Sequence, residues 1–147
     1  MEKLIEKRLA QAKRATTQLS RGLTRVARGI AREDYEFFRD SLIKRFEFSY
    51  EVTWRLMRLF LEQVKKVSLE KLSSPRTIFR AAQEVGLIKK DDLDVLFDMV
   101  DYRNLISHTY EEAMADETVA HLTDYAKLLS SIVSTIEQEY LAEQEQQ

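Results

Sequence analysis

The chain has 147 residues, of which only three are glycine and one is proline, where about seventeen of the two together are usual at this length. Turn-rich β and α/β folds need those residues and are disfavoured; the absence of cysteine excludes disulfides, thiol catalysis and thiolate metal sites, and two histidines are too few for a histidine-rich metal centre. With 44% hydrophobic and 33% charged residues the chain reads as folded and soluble; no apolar run reaches the roughly 18 residues of a membrane span, and with no secretory signal the expected address is the cytoplasm.

The net charge of −2 hides an uneven distribution. Residues 1–32 hold nine Lys or Arg against two Glu, which leaves 14 basic and 23 acidic side chains for the rest; after Tyr110, Lys127 is the only base among nine acids. Asymmetry of this kind points to an interaction surface or to neutralisation of one end by the other. In the first segment Ile5, Leu9, Ala12, Thr16, Leu19, Leu23, Val26 and Ile30 recur at spacings of four and three, which predicts a helix over 3–32 lying along a partner. Lys3, Lys7, Arg14, Arg21, Arg25, Arg28 and Arg32 fall on its opposite face. Solvated surface and nucleic-acid binding are both open readings of that face, and its single sign speaks against an idle one. Gly22 and Gly29 weaken the helix, and Gly29 is a candidate terminus.

A second helix is predicted from Glu33 or Asp34 through Glu62, with Phe46, Tyr50, Trp54, Met57, Leu61 and Val64 as one stripe widened by Leu42, Phe48, Val52, Leu56, Leu59 and Phe60. This is the central buried helix, and its aromatics read as core. Ser74 and Pro75 form an N-cap and first-turn pair, and Gly86 closes the short helix that follows. A fourth helix spans about 91–112. A fifth runs from about Asp116 to Ile136, ahead of an acidic tail over 137–147 that is expected to fray. No repeat or linker divides the chain. The expectation is an all-α, up-and-down, four- to five-helix antiparallel bundle forming one domain.

The fourth helix breaks its own pattern. Leu93, Leu96, Phe97 and Val100 set an apolar stripe, and Arg103, Asn104, Ser107 and His108 then occupy the same arc. Polar groups on a buried face are costly unless satisfied, so this arc must leave the core. Either it is a hydrogen-bonded helix end, with Arg103 paired to an acid, or it faces a cleft, a partner or a symmetry mate. His121 has no motif around it and reads as surface or packing. Asp91-Asp92 and Glu111-Glu112 suit helix starts better than metal ligation.

The string from Arg103 to Tyr110 resembles the R-x4-H-x-Y motif of the HEPN superfamily. Taken with Arg45 to Glu51, Trp54, Ser74-Pro75-Arg76 and Gly86-Leu87-Ile88, it is similar to the nucleotidyltransferase substrate-binding protein family within that superfamily, over about residues 35–136. The resemblance implies a helical homodimer in which the two R-x4-H segments meet in one cleft. It also implies a minimal nucleotidyltransferase as partner and antitoxin, metal-independent RNA cleavage by the HEPN member, and AMP transfer to the motif tyrosine, here Tyr110. Arg103 and His108 are then the catalytic pair, with Asn104 and Ser107 supporting. No cofactor and no metal are expected, and attack by a 2′-hydroxyl leaves DNA out as a substrate. Lys7, Arg14, Arg21, Arg25 and Arg28 are candidates for holding RNA. Two further functions stay open: a non-catalytic subunit that presents nucleotide or substrate to the transferase, and an assembly adaptor. Positions 103 and 108 lie about 140° apart on an ideal helix, so one active site needs either a distorted helix end or residues from both protomers.

Overall fold

The computed structural model describes residues 3–108 and 112–146, with the side chains of residues 107, 108 and 112–114 outside the description. Five helices follow in order: α1 (Leu4–Ala27), α2 (Tyr35–Gln63), α3 (Pro75–Glu84), α4 (Lys90–His108) and α5 (Glu112–Glu145), with short 3-10 turns at Arg32–Asp34 and Leu69–Leu72. They form the helical bundle expected from the composition. Among the described residues, no helix is long and apolar enough to cross a membrane.

The direction of the long helices follows from which residues meet. Ala15 O accepts from Ser49 Oγ at 3.0 Å and Gln18 O from Arg45 Nη1 at 2.9 Å, so α1 and α2 run antiparallel. Tyr140 Oη donates to Glu6 Oε1 at 3.0 Å, and Lys13 Nζ to Glu137 at 2.7 Å, so α5 is antiparallel to α1. Consequently α2 and α5 point the same way, as Arg39 with Asp116 and Lys65 with Glu139 show. The short α3 takes up the extra reversal, and α4 returns the chain to the start of α5.

Small residues set the α1–α2 seam. Ala12, Ala15 and Ser49 are buried, as are Leu19, Leu42 and Phe46, and the Ser49 hydroxyl is satisfied by the facing helix. A run of rings then crosses the core: Phe46 lies 5.5 Å from Tyr125 and 6.1 Å from Tyr50, and Tyr50 lies 6.3 Å from Phe79. These contacts make α2 the central helix, as its broad apolar stripe predicts.

Three boundaries differ from the sequence reading. α1 stops at Ala27 instead of reaching 32, because Gly29 takes φ of 100° and the Gly29 amide turns back to Val26 O; left-handed backbone of this kind closes a helix. α5 starts at Glu112, four residues early, and the residues expected at the end of α4, 109–111, lie outside the described ones. The acidic tail is helical to Glu145, tied down by buried Tyr140 and by Lys3 Nζ donating to Gln144 at 3.3 Å.

The ends of α3 match their residues. Ser74 Oγ accepts from the Thr77 amide at 3.3 Å, the Thr77 hydroxyl lies 3.1 Å from the Ser74 amide that donates to it, and Pro75 occupies the first turn. At the other end Gly86 adopts φ of 80°, with Leu87 N donating to Ala82 O and Gly86 N to Gln83 O, the paired bonds of a Schellman stop. Ser74→Ala is therefore expected to cost about 1 kcal/mol. A thermal melt should read that as a drop of roughly 2–4 °C, and an unchanged midpoint would show that the cap contributes nothing.

Candidate functional site

The described part of the polar arc of α4, Arg103 and Asn104, leaves the core. Leu96, Met99 and Val100 are buried, Arg103 is half-buried, and Asn104 and Leu105 are exposed. Arg103 and Asn104 front a cavity of about 320 Å³, whose other walls are Tyr50, Glu51 and Trp54 of α2 and the Ser74-Pro75-Arg76 start of α3. Three stretches far apart in sequence thus converge on one opening. They are the same stretches that carry the resemblance.

Each wall is held in place. The capped start of α3 fixes Arg76, whose guanidinium bonds Asp101 and stacks 5.0 Å over the Phe97 ring, with Arg80 over the same ring at 5.4 Å. Trp54 Nε1 donates to Glu51 Oε2 at 3.1 Å, and Arg55 donates to Glu51 Oε1 at 2.9 Å while lying 5.5 Å over the indole. Burial pushes the Tyr50 phenol up to about 12, with Glu51 adding to the rise and Arg103 and Arg76 opposing it. Tyr50 therefore stays protonated at neutral pH and offers the cavity an uncharged hydroxyl. The two arginines give the opening its positive charge.

His108 closes α4, which is helical through that residue. The side chains of His108 and Ser107, and all of Tyr110, lie outside the described residues, so the cleft is defined here by Arg103 and Asn104. The sequence reading gave no role to Arg76 or Glu51 and placed Tyr50 and Trp54 in the core. Tyr50 is indeed buried but also forms cavity wall, and Trp54 is only half-buried. The signal available for Arg76 was its place directly after a Ser-Pro cap, which fixes a side chain at a helix start.

The segment beyond the motif is anchored to both neighbouring helices. Buried Arg39 pairs with Asp40 at 3.1 Å and Asp116 at 3.3 Å, and Tyr35 donates to Asp116 at 2.8 Å. Tyr102 donates to Glu117 at 2.8 Å. His121 is exposed and packs against Tyr102 and Tyr125 with ring centroids at 5.3 and 5.8 Å, a surface packing role. Asp92 accepts from the Lys89 amide at 3.3 Å, as a helix start requires. Lys7, Arg14, Arg21, Arg25 and Arg28 are all exposed. Arg21, Arg25 and Arg28 line an open groove of about 810 Å³ with Arg45 of α2, whereas Lys7 and Arg14 lie outside it.

The sequence profile described as "Nucleotidyltransferase substrate binding protein like" matches residues 7–143. The chain belongs to that family. Among solved structures it is similar to a protein of Thermus thermophilus, with 28% identity over 85% of this chain and 98% of the other and a TM-score of 0.73. No curated protein sequence matches.

Proposed function

We propose that the protein is a HEPN toxin-like, metal-independent endoribonuclease, acting as a homodimer and restrained by a partner minimal nucleotidyltransferase that adds AMP to Tyr110. The observation that carries this reading is the polar arc of α4 opening onto an arginine-lined cavity. Family membership supports the nucleotidyltransferase partner.

In the proposed reaction the RNA 2′-hydroxyl attacks the adjacent phosphorus. The 2′-oxygen–phosphorus bond forms, the bond to the 5′-oxygen breaks, one proton leaves the nucleophile and one reaches the leaving group. His108, with an ordinary pKa near 6.5, serves one of these transfers at neutral pH. Arg103 offers a planar fork of donors to the phosphorane oxygens, Arg76 adds charge from the facing helix, and Asn104 and Ser107 orient the pair. Because α4 is helical through His108, positions 103 and 108 keep their separation of about 140° around the axis, which favours a site composed of both protomers. Leu105, 49% exposed on the same helix, supplies apolar surface for that pairing.

A second reading has its own support: a cavity walled by Trp54, Arg76 and Arg103 also suits a nucleotide base and phosphate presented to the transferase without cleavage. The discriminating experiment is co-expression with and without the partner nucleotidyltransferase. Protein made alone is expected to cut single-stranded RNA in EDTA, leaving 2′,3′-cyclic phosphates. Protein made with the partner is expected to carry AMP on Tyr110 by intact mass and to be inactive. Nucleotide binding with no cleavage in either preparation would give the answer to the second reading.

A further inference from the structure

The groove beside the end of α1 gathers four arginines, Arg21, Arg25, Arg28 and Arg45, in one concavity. Elsewhere several bases face an acid: Lys13 with Glu137, Arg55 with Glu51, Lys65 with Glu139, Lys71 with Glu84 and Arg76 with Asp101. Among the described residues, no ion pair engages Arg21, Arg25, Arg28 or Arg45. Four guanidiniums sharing one concavity repel each other, and a surface with no ligand intersperses the signs.

Gly22 lies under the Arg45 side chain. A Cβ there would fall 2.8 Å from Leu42 Cδ2 and 2.9 Å from Arg45 Nη1, so the bare backbone of Gly22 leaves the space that the Arg45 guanidinium occupies as it donates to Gln18 O. Arg45 thereby joins Arg21 and Arg25 of α1 and Arg28 at its C-cap. Gly22, Arg25 and Arg45 also line an adjoining cavity whose rim is Phe37 and Phe38. Phe37 is 74% exposed and meets the Phe38 ring edge-on at 5.8 Å, and Arg25 lies 5.6 Å over Phe38. A large ring left in water beside an arginine groove is how single-stranded nucleic acid is held: guanidiniums track the backbone and an aromatic face stacks a base. An acidic protein partner would need the charge but not the ring.

We propose that this groove binds single-stranded RNA outside the cleavage cleft, with Arg21, Arg25, Arg28 and Arg45 taking successive phosphates and Phe37 stacking a base. The site rests on RNA being the substrate of the α4 cleft. Its volume of about 810 Å³ is that of a ligand site, roughly 300–1,000 Å³. It lies toward the end of the bundle where α1 finishes and α2 begins. Arg39 and Tyr35 tie that end to Asp116 of α5.

The test uses a fluorescent RNA of about 12 nucleotides, 2′-O-methylated throughout so that it cannot be cut, bound to the full chain over a salt series. The double variant Arg21→Ala/Arg28→Ala is expected to lose at least about tenfold in affinity, and the slope of log affinity against log salt should fall by about 1.4, or 0.7 for each phosphate contact on a single strand. Phe37→Ala is expected to weaken binding roughly 5- to 100-fold with the slope unchanged. Failure of the wild-type chain to bind the probe, or equal affinity and slope in all three proteins, overturns the site. So does an arginine variant that binds the probe normally but no longer co-purifies with the nucleotidyltransferase, which would make the groove a protein face. Because the probe is uncleavable, its binding is independent of catalysis: intact ordinary RNA with probe binding lost in the variants would sink the nuclease reading and keep the groove.

Discussion

His108→Ala is expected to lower single-turnover cleavage of labelled single-stranded RNA in EDTA by about 10²–10⁴-fold, the usual contribution of a positioned general acid or base. Arg103→Ala should fall at least as far, because it removes the fork proposed to hold the phosphorane, and Arg103→Lys should recover only part of the rate, since a point charge replaces two parallel donors. Arg103 is half-buried on the cavity wall and not in the packed core, so the thermal midpoints of its variants should stay near that of the parent. The helical course of α4 through His108 adds a sharper outcome. If each site takes Arg103 from one protomer and His108 from the other, mixing the two inactive alanine variants and allowing exchange restores one intact site in each mixed dimer, about one quarter of the parent activity. Sites built within one protomer would recover nothing. Full cleavage by His108→Ala would sink the nuclease assignment itself.

The sequence was most informative where one residue type has one physical use. Ser74-Pro75 and Gly86 bracket α3 because a hydroxyl cap, a fixed φ and a left-handed turn have few alternatives. The break in the α4 stripe after Val100 correctly located the point where the helix leaves the core. Tertiary context decided what was missed. Ile30 continues the α1 periodicity, but Gly29 ends the helix first. Tyr140 stands in a polar tail, and its ring becomes buried only because α1 lies alongside, with Glu6 to receive its hydroxyl. Likewise Arg76, Glu51 and Trp54 belong to the cavity through the crossing of α2, α3 and α4. No spacing along one helix encodes that crossing.

Phe46→Ala is expected to cost about 3–5 kcal/mol, the range for emptying a buried aromatic site, and to lower the melting midpoint by roughly 6–20 °C at this chain length. Phe46 is fully buried and is the ring through which Tyr50 and Tyr125 are coupled, at 6.1 and 5.5 Å. The surrounding helices cannot close on the void, because the Ser49–Ala15 bond and the small residues already hold α1 against α2 at close range. Tyr125→Phe makes the contrasting case. Its buried hydroxyl has no hydrogen-bond partner among the described residues, and burial pushes its pKa up; deleting an unsatisfied group is neutral or stabilising, by up to about 1 kcal/mol. The same rings reach the functional face, since Tyr50 is both the far neighbour of Phe46 and a wall of the Arg103 cavity. Phe46→Ala should therefore impair RNA cleavage at temperatures well below its own midpoint, whereas Tyr125→Phe should leave both stability and cleavage at or above parent levels. A Phe46→Ala protein that melts within about 2 °C of the parent would mean that the ring cluster does not support the bundle, and that the cavity wall is held by the α3 cap and the Glu51 network alone.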